Sequence, residues 1–121
     1  MRSPVYHLVP RAEWQAACAR GVYAPASLET HGFIHCSTRA QVAETANRWL
    51  RGQRDLLLLE IDPRQATADL RFEPPVRPSG ERPGERFPHL YGPLNLEAVT
   101  RVVEFPCQPD GSFHLPEALG E

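Results

Sequence analysis

Two short stretches, GFIHCST from Gly32 to Thr38 and FPHLYG from Phe87 to Gly92, set imidazole and hydroxyl groups among Phe, Ile, Leu and Pro. Polar groups against apolar walls must find hydrogen-bond partners, which often makes such places binding sites. If the first stretch is extended, Ile34 and Cys36 face one way and Phe33, His35 and Ser37 the other. His35 and Ser37 are then neighbours on one face, roughly 6.5 Å apart, and both reach one small ligand. The functional reading is a paired imidazole and hydroxyl at the end of a strand. The bland one is a core histidine with its partners satisfied and a serine that helps start the next helix.

In the second stretch His89 and Tyr91 are again two apart, with Pro88 and Pro93 fixing the backbone and Gly92 permitting unusual dihedrals. They read either as ligand donors from a second wall or, for Tyr91, as a buried aromatic with a satisfied hydroxyl. Glu73, just before Pro74, is the carboxylate best placed for general base work, or else an exposed glutamate at a strand end. Cys36 shares a face with Ile34, so its thiol is expected to be raised in pKa and inert. His31 and His35, on one extended segment, would lie roughly 13 Å apart, too far to share a zinc ion. No metal site is assigned. Arg77, Arg82 and Arg86 resemble a phosphate clamp, but Glu81 and Glu85 nearly cancel their charge.

The elements that position these residues are read from hydrophobic spacing. VYHLV, Val5 to Val9, is a strand ended by Pro10. Trp14, Ala17 and Cys18 mark a helix from Arg11 to Arg20 with Gly21 at its C′ position. Tyr23 to His31 lacks periodicity and reads as a connection before a strand from Phe33 to Ser37. Thr38 and Gln41 form a capping-box pattern, after which Val42, Ala46, Trp49 and Leu50 repeat at helical spacing until Gly52. Asp55 to Asp62, DLLLLEID, has the nearly continuous apolar centre of a strand covered on both faces and is the expected central strand. Strands are also expected at Asp69 to Glu73 and Ala98 to Phe105, with a turn at Asp110-Gly111.

The 121 residues fit a single domain, residues 1–121 with a core over about 5–113 and a Pro/Gly-rich arm over about 74–86. After Asp62 the connections are too short and Pro-rich for repeated crossover helices, so the fold class is α+β, with two main helices covering one side of a small mixed or antiparallel sheet. A formal charge of −2 gives no strong signal for nucleic acid. No apolar run approaches a membrane span and no long apolar leader opens the chain. Three widely spaced cysteines suggest no disulfide framework. The expected location is the cytoplasm, with reduced thiols. P-loop, GxGxxG, HExxH and GxSxG signatures are absent.

Taken together, VYHLVP, the Trp-containing helix, GFIHCST followed by QVAETANRWL, DLLLLEID and FPHLYGPLNLEAV resemble domain-of-unknown-function family 952 from about Val5 to Phe113. The resemblance implies a small, mostly bacterial protein of unestablished activity with a fold similar to the ADP-ribosyltransferases, whose split pair of small sheets holds NAD. It implies that His7 contacts a ribose and that Ser37 and Thr38 supply hydroxyls to nicotinamide and ribose. The third transferase element usually carries a Glu; here the matching FPHLYG has no acid. The expected site is therefore His35, Ser37 and Glu73 as candidate catalytic residues and His7, Thr38, His89 and Tyr91 as ligand contacts. No cofactor is required, and NAD or another phosphorylated nucleotide is the implied ligand or substrate. The alternative is a non-enzymatic protein-interaction module with an inactive cleft, its partner unidentified.

Overall fold

A strand with large apolar side chains on both faces needs cover on both. In the computed structural model, which describes residues 3–76 and 80–119, LLLLEI forms β4 (Leu56–Ile61). It is the middle of a three-stranded antiparallel sheet between β1 (Val5–Pro10) and β8 (Val99–Glu104). Leu57, Leu59 and Ile61 join Val5 and Val9 in one core cluster, to which α1 (Arg11–Arg20) adds Ala17. Leu56 and Leu58 join Tyr6, Phe105 and Phe113 in another, covered by Val42 and Ala46 of α3 (Val42–Trp49). The helices thus contribute to opposite faces of this sheet. This corrects the expectation that both would cover one side, and the two-faced leucine run is the reason.

The local signals act as their chemistry dictates. Gly21 adopts the left-handed conformation, φ 89°, and its N–H closes α1 on the Ala17 carbonyl at 2.8 Å. Gln41 Oε1 accepts the Thr38 N–H at 3.0 Å, one half of a capping box, ahead of α3. Trp49, expected on the helix's apolar stripe, is instead 47% exposed.

A second three-stranded antiparallel sheet has the order β3 (Ile34–His35), β6 (Phe87–Tyr91), β5 (Asp69–Glu73). FPHLYG is therefore a central strand for most of its length. Pro88 has no N–H to give the ladder, and the missing bond falls beyond the end of β3, where the Pro88 carbonyl alone pairs by accepting the Cys36 N–H at 3.0 Å. The expected connection from Tyr23 to His31 holds a short strand, β2 (Val22–Tyr23), paired with β7 (Leu94–Asn95), and a one-turn helix, α2 (Ser27–Thr30). Short helical turns follow at Leu96–Ala98 and Glu117–Leu119.

Between the two sheets, Tyr6 and Ser37 exchange backbone hydrogen bonds, both 2.8 Å, as an isolated bridge. The described part of the arm packs on α3. Arg82 Nη2 donates to Glu44 Oε2 at 3.0 Å, and Gln41 Nε2 donates to the Arg86 carbonyl at 2.8 Å and to Glu85 Oε2 at 3.1 Å. Arg77 of the anticipated clamp lies outside the described residues. Cys18, Cys36 and Cys107 are free thiols. Among the described residues no helix is long and apolar enough to cross a membrane.

Leu58 is fully buried and faces α3, so Leu58→Ala should cost about 2–5 kcal/mol in urea unfolding, whereas Val102→Ala on exposed β8 should stay within about 0.5 kcal/mol. Equal effects would show that β4 is not the two-faced core strand described.

Candidate functional site

Where the backbone bridge stops, a side chain takes over. His7, one residue past Tyr6 on β1, directs Nδ1 to the His35 carbonyl at 2.6 Å and Nε2 to the Tyr23 hydroxyl at 2.8 Å. A carbonyl only accepts, so Nδ1 carries the proton and Nε2 accepts from Tyr23. Both nitrogens of His7 are thereby committed to the protein. Burial holds its pKa down to about 4, against the opposing effect of the His35 carbonyl. Burial likewise raises the Tyr23 hydroxyl.

Along this seam lies a cavity of about 350 Å³, and His7, His35, Ser37 and His89 all line it. Three separate strand segments bring these residues together. The serine hydroxyl reaches Thr45 Oγ1 of α3 at 3.3 Å. Beyond the four, the cavity includes His31, Arg48 and Trp49. Thr38 lines a different hollow with Tyr6, Arg39 and Phe72. Tyr91 and Glu73 are outside the cavity lining and connect to it through His89.

That connection is specific. Glu73 Oε1 accepts the Tyr91 hydroxyl at 2.6 Å and His89 Nδ1 at 2.8 Å. The Tyr91 bond first, then the His89 bond, hold the Glu73 carboxyl below the usual range, while the same carboxylate raises Tyr91. An ionised Glu73 keeps the His89 proton on Nδ1 and leaves the Nε2 lone pair as that ring's base. Glu73 is thus placed to orient His89 rather than to take a substrate proton itself. The ring is further clamped by Phe33, stacked on it at 3.9 Å between centroids, while Arg71 sits 4.4 Å over Tyr91.

His31 and His35, expected far apart, meet with Nδ1 and Nε2 at 3.2 Å and rings nearly perpendicular. The extended-segment premise fails because His31 caps the end of α2 and Gly32, φ +85°, turns the chain back. His35 is held at about 4 by desolvation and then by the nearby His31, His89 and His7. The residue as a whole is exposed, so repulsion among neighbouring imidazoles is the sturdier of these causes. Cys36 is buried with its thiol pushed up to about 12, a packing group. The His7 and His35 imidazoles and the Cys36 thiol of the cavity wall are therefore uncharged at neutral pH. Among the described residues no group of three or more metal-ligating side chains gathers.

Sequence reasoning left out Tyr23, His31, Arg48 and Trp49. A glycine directly after His31 was the available sign of a chain reversal; Trp49 was hidden inside a stripe read as core, and Arg48 precedes it outside that stripe.

The fold and site define a class: a small α+β protein of two three-stranded antiparallel sheets joined at an isolated bridge, with a further two-stranded sheet and a histidine-lined cavity at the seam. The family model described as "Protein of unknown function (DUF952)" matches residues 8–102, and the chain belongs to that family. It is 38% identical to protein CC0527 from Caulobacter crescentus, whose X-ray crystal structure superposes with a TM-score of 0.83, covering 98% of this chain and 100% of that one. The solution NMR structure of CC0527 gives 35% identity, a TM-score of 0.72 and 98% coverage of both chains. No curated protein matches.

His7 titrates near 4 in the folded protein against an ordinary 6.5, so between those values the unfolded chain holds the extra proton. Its contribution is full above pH 6.5 and is lost as pH falls toward 4, up to about 3 kcal/mol. His7→Asn should be less stable at pH 7.5 and lose less stability than the parent between pH 6.5 and 4.5 in urea titrations. Identical slopes would show that His7 is not held neutral.

Proposed function

We propose that the seam cavity binds NAD or another phosphorylated nucleotide on an ADP-ribosyltransferase-like scaffold. The observation that carries this reading is the convergence of His7, His35, Ser37 and His89 from three strand segments on one hollow between two small antiparallel sheets. Its volume, about 350 Å³, is at the low end for ligand sites and suits one nucleoside half of a dinucleotide. The Trp49 ring offers a face for a base or nicotinamide, and the Ser37 hydroxyl and neutral His35 offer hydrogen bonds to ribose or amide. His7 shapes the wall rather than binding through its nitrogens, both of which are spent.

For catalysis, His89 backed by Glu73 is the general base of the site, and His35 and Ser37 position the ligand beside it. Glu73 in this reading serves the role of orienting acid from outside the cavity. Thr38, facing the other hollow, takes no part, and Tyr91 acts on Glu73. The protein works in the cytoplasm without a bound cofactor. A second reading, a non-enzymatic interaction module, is favoured by the apolar rim: Trp49 and Val76 are 47% and 46% exposed at the cavity.

Calorimetry with NAD and ADP-ribose should show binding that His35→Ala and Ser37→Ala each weaken about tenfold, the equivalent of about 1.4 kcal/mol. Nicotinamide release from NAD should fall with His89→Ala. Absence of binding by the parent at millimolar ligand overturns the nucleotide reading. Protein capture that depends on residues 75–84, with no nucleotide bound, favours the interaction module.

A further inference from the structure

The histidines that line the cavity differ in what their ring nitrogens are committed to. His7 gives both to the protein, and His89 gives Nδ1 to Glu73. His31 Nδ1 and His35 Nε2 instead meet each other, 3.2 Å apart, with the rings at 85°. Thr30 Oγ1, another polar neighbour of His31 Nδ1, is 3.5 Å away and reaches the Ala26 carbonyl at 3.4 Å, which accepts its proton. Both histidines are exposed, so the pair is open to solutes.

The backbone holds this meeting in place from both sides. The His31 N–H closes α2 on the Ser27 carbonyl at 2.8 Å, Gly32 reverses the chain, and β3 sets His35 opposite His89. Phe33 packs near both rings, its centroid 6.0 Å from that of His31 and 4.8 Å from that of His35. A neutral imidazole has one proton and one lone pair. When the protons sit on His31 Nε2 and His35 Nδ1, the two facing nitrogens both present lone pairs. Metal–imidazole bonds of about 2.0–2.1 Å to nitrogens 3.2 Å apart subtend roughly 100° at the ion, between the octahedral and tetrahedral angles. An N–H···N bond at the same separation is at the long end of its range.

We propose that His31 Nδ1 and His35 Nε2 form a two-histidine chelate for a first-row divalent cation, zinc, copper or nickel, on the cavity wall. Imidazole nitrogens select these ions, whereas magnesium and calcium take oxygen ligands. Among the described residues no third ligand gathers with the pair, so the ion keeps its remaining positions for water or an anion entering from the cavity. The site stands apart from the nucleotide reading, which uses no ion.

The test is calorimetry of zinc chloride into the full chain, purified without a histidine tag, at pH 7.5. One ion should bind the parent, and His31→Asn and His35→Asn should each weaken it about a hundredfold, because either change turns a chelate into a single-imidazole contact. His114→Asn, which removes an exposed histidine outside the cavity, should bind zinc as the parent does. Copper(II) bound to the parent should show two nitrogen ligands by electron paramagnetic resonance, a readout that needs no variant to fold. No zinc uptake by the parent at millimolar concentration overturns the site. Equal zinc binding by the parent and both single variants overturns it too, as does a parent copper spectrum with fewer than two nitrogens. Circular dichroism of each variant keeps loss of fold apart from loss of the ion.

Discussion

The seam between the two sheets governs the rest of the molecule. Tyr6 and Ser37 form its isolated backbone bridge, and the His7 imidazole spans the gap beside it, from the His35 carbonyl to the Tyr23 hydroxyl. Had pairing continued past Tyr6, β1 would have met β3 in one unbroken sheet and left no hollow. A gap in a sheet exposes backbone groups that need partners. Here an imidazole supplies one, and it does so only in a single tautomer, with its proton on Nδ1. The geometry of the cavity and the charge state of His7 are thus one constraint.

The same logic divides labour between inner and outer groups. Glu73 sits outside the wall, locked by Tyr91 and His89, and delivers its influence through a ring already clamped by Phe33. A neutral His35 can then approach His31 to within hydrogen-bonding distance without the repulsion its own protonation would bring. Low histidine pKa values in this site follow from crowding and burial together.

Much of this was legible in the chain. The β-type run VYHLV, the continuous apolar centre of DLLLLEID, the glycine after α1 and the Thr38–Gln41 pair are local signals, and local physics decided those elements. Strand alternation put His35 beside Ser37, and both line the cavity, but Cys36, expected on the opposite apolar face, packs in the core and lines the cavity as well. What could not be read was set by distant partners. Pro88 argues against a central strand until β3 is known to end at His35, so that the missing N–H falls beyond that strand. The 13 Å separation of His31 and His35 assumed an extended chain that one glycine reverses. Trp49 follows the helical stripe, yet the stripe ends at an opening rather than a core. Thr38 is next to Ser37 in sequence, but successive residues of an extended segment face opposite ways, and it points to a different hollow.

The order of strands in the second sheet has a consequence for the chain as it is made. β6 lies between β3 and β5 but is translated after both, so the two flanking strands share no partner until residue 91 has been added. β8, which completes the first sheet, comes later still. Loop-closure entropy must be met before such distant pairings are rewarded, so a nascent chain short of this point exposes unpaired strand edges. His89 arrives on that last-built central strand. The pairing of the second sheet and the chemical wall of the cavity are therefore completed by one and the same strand.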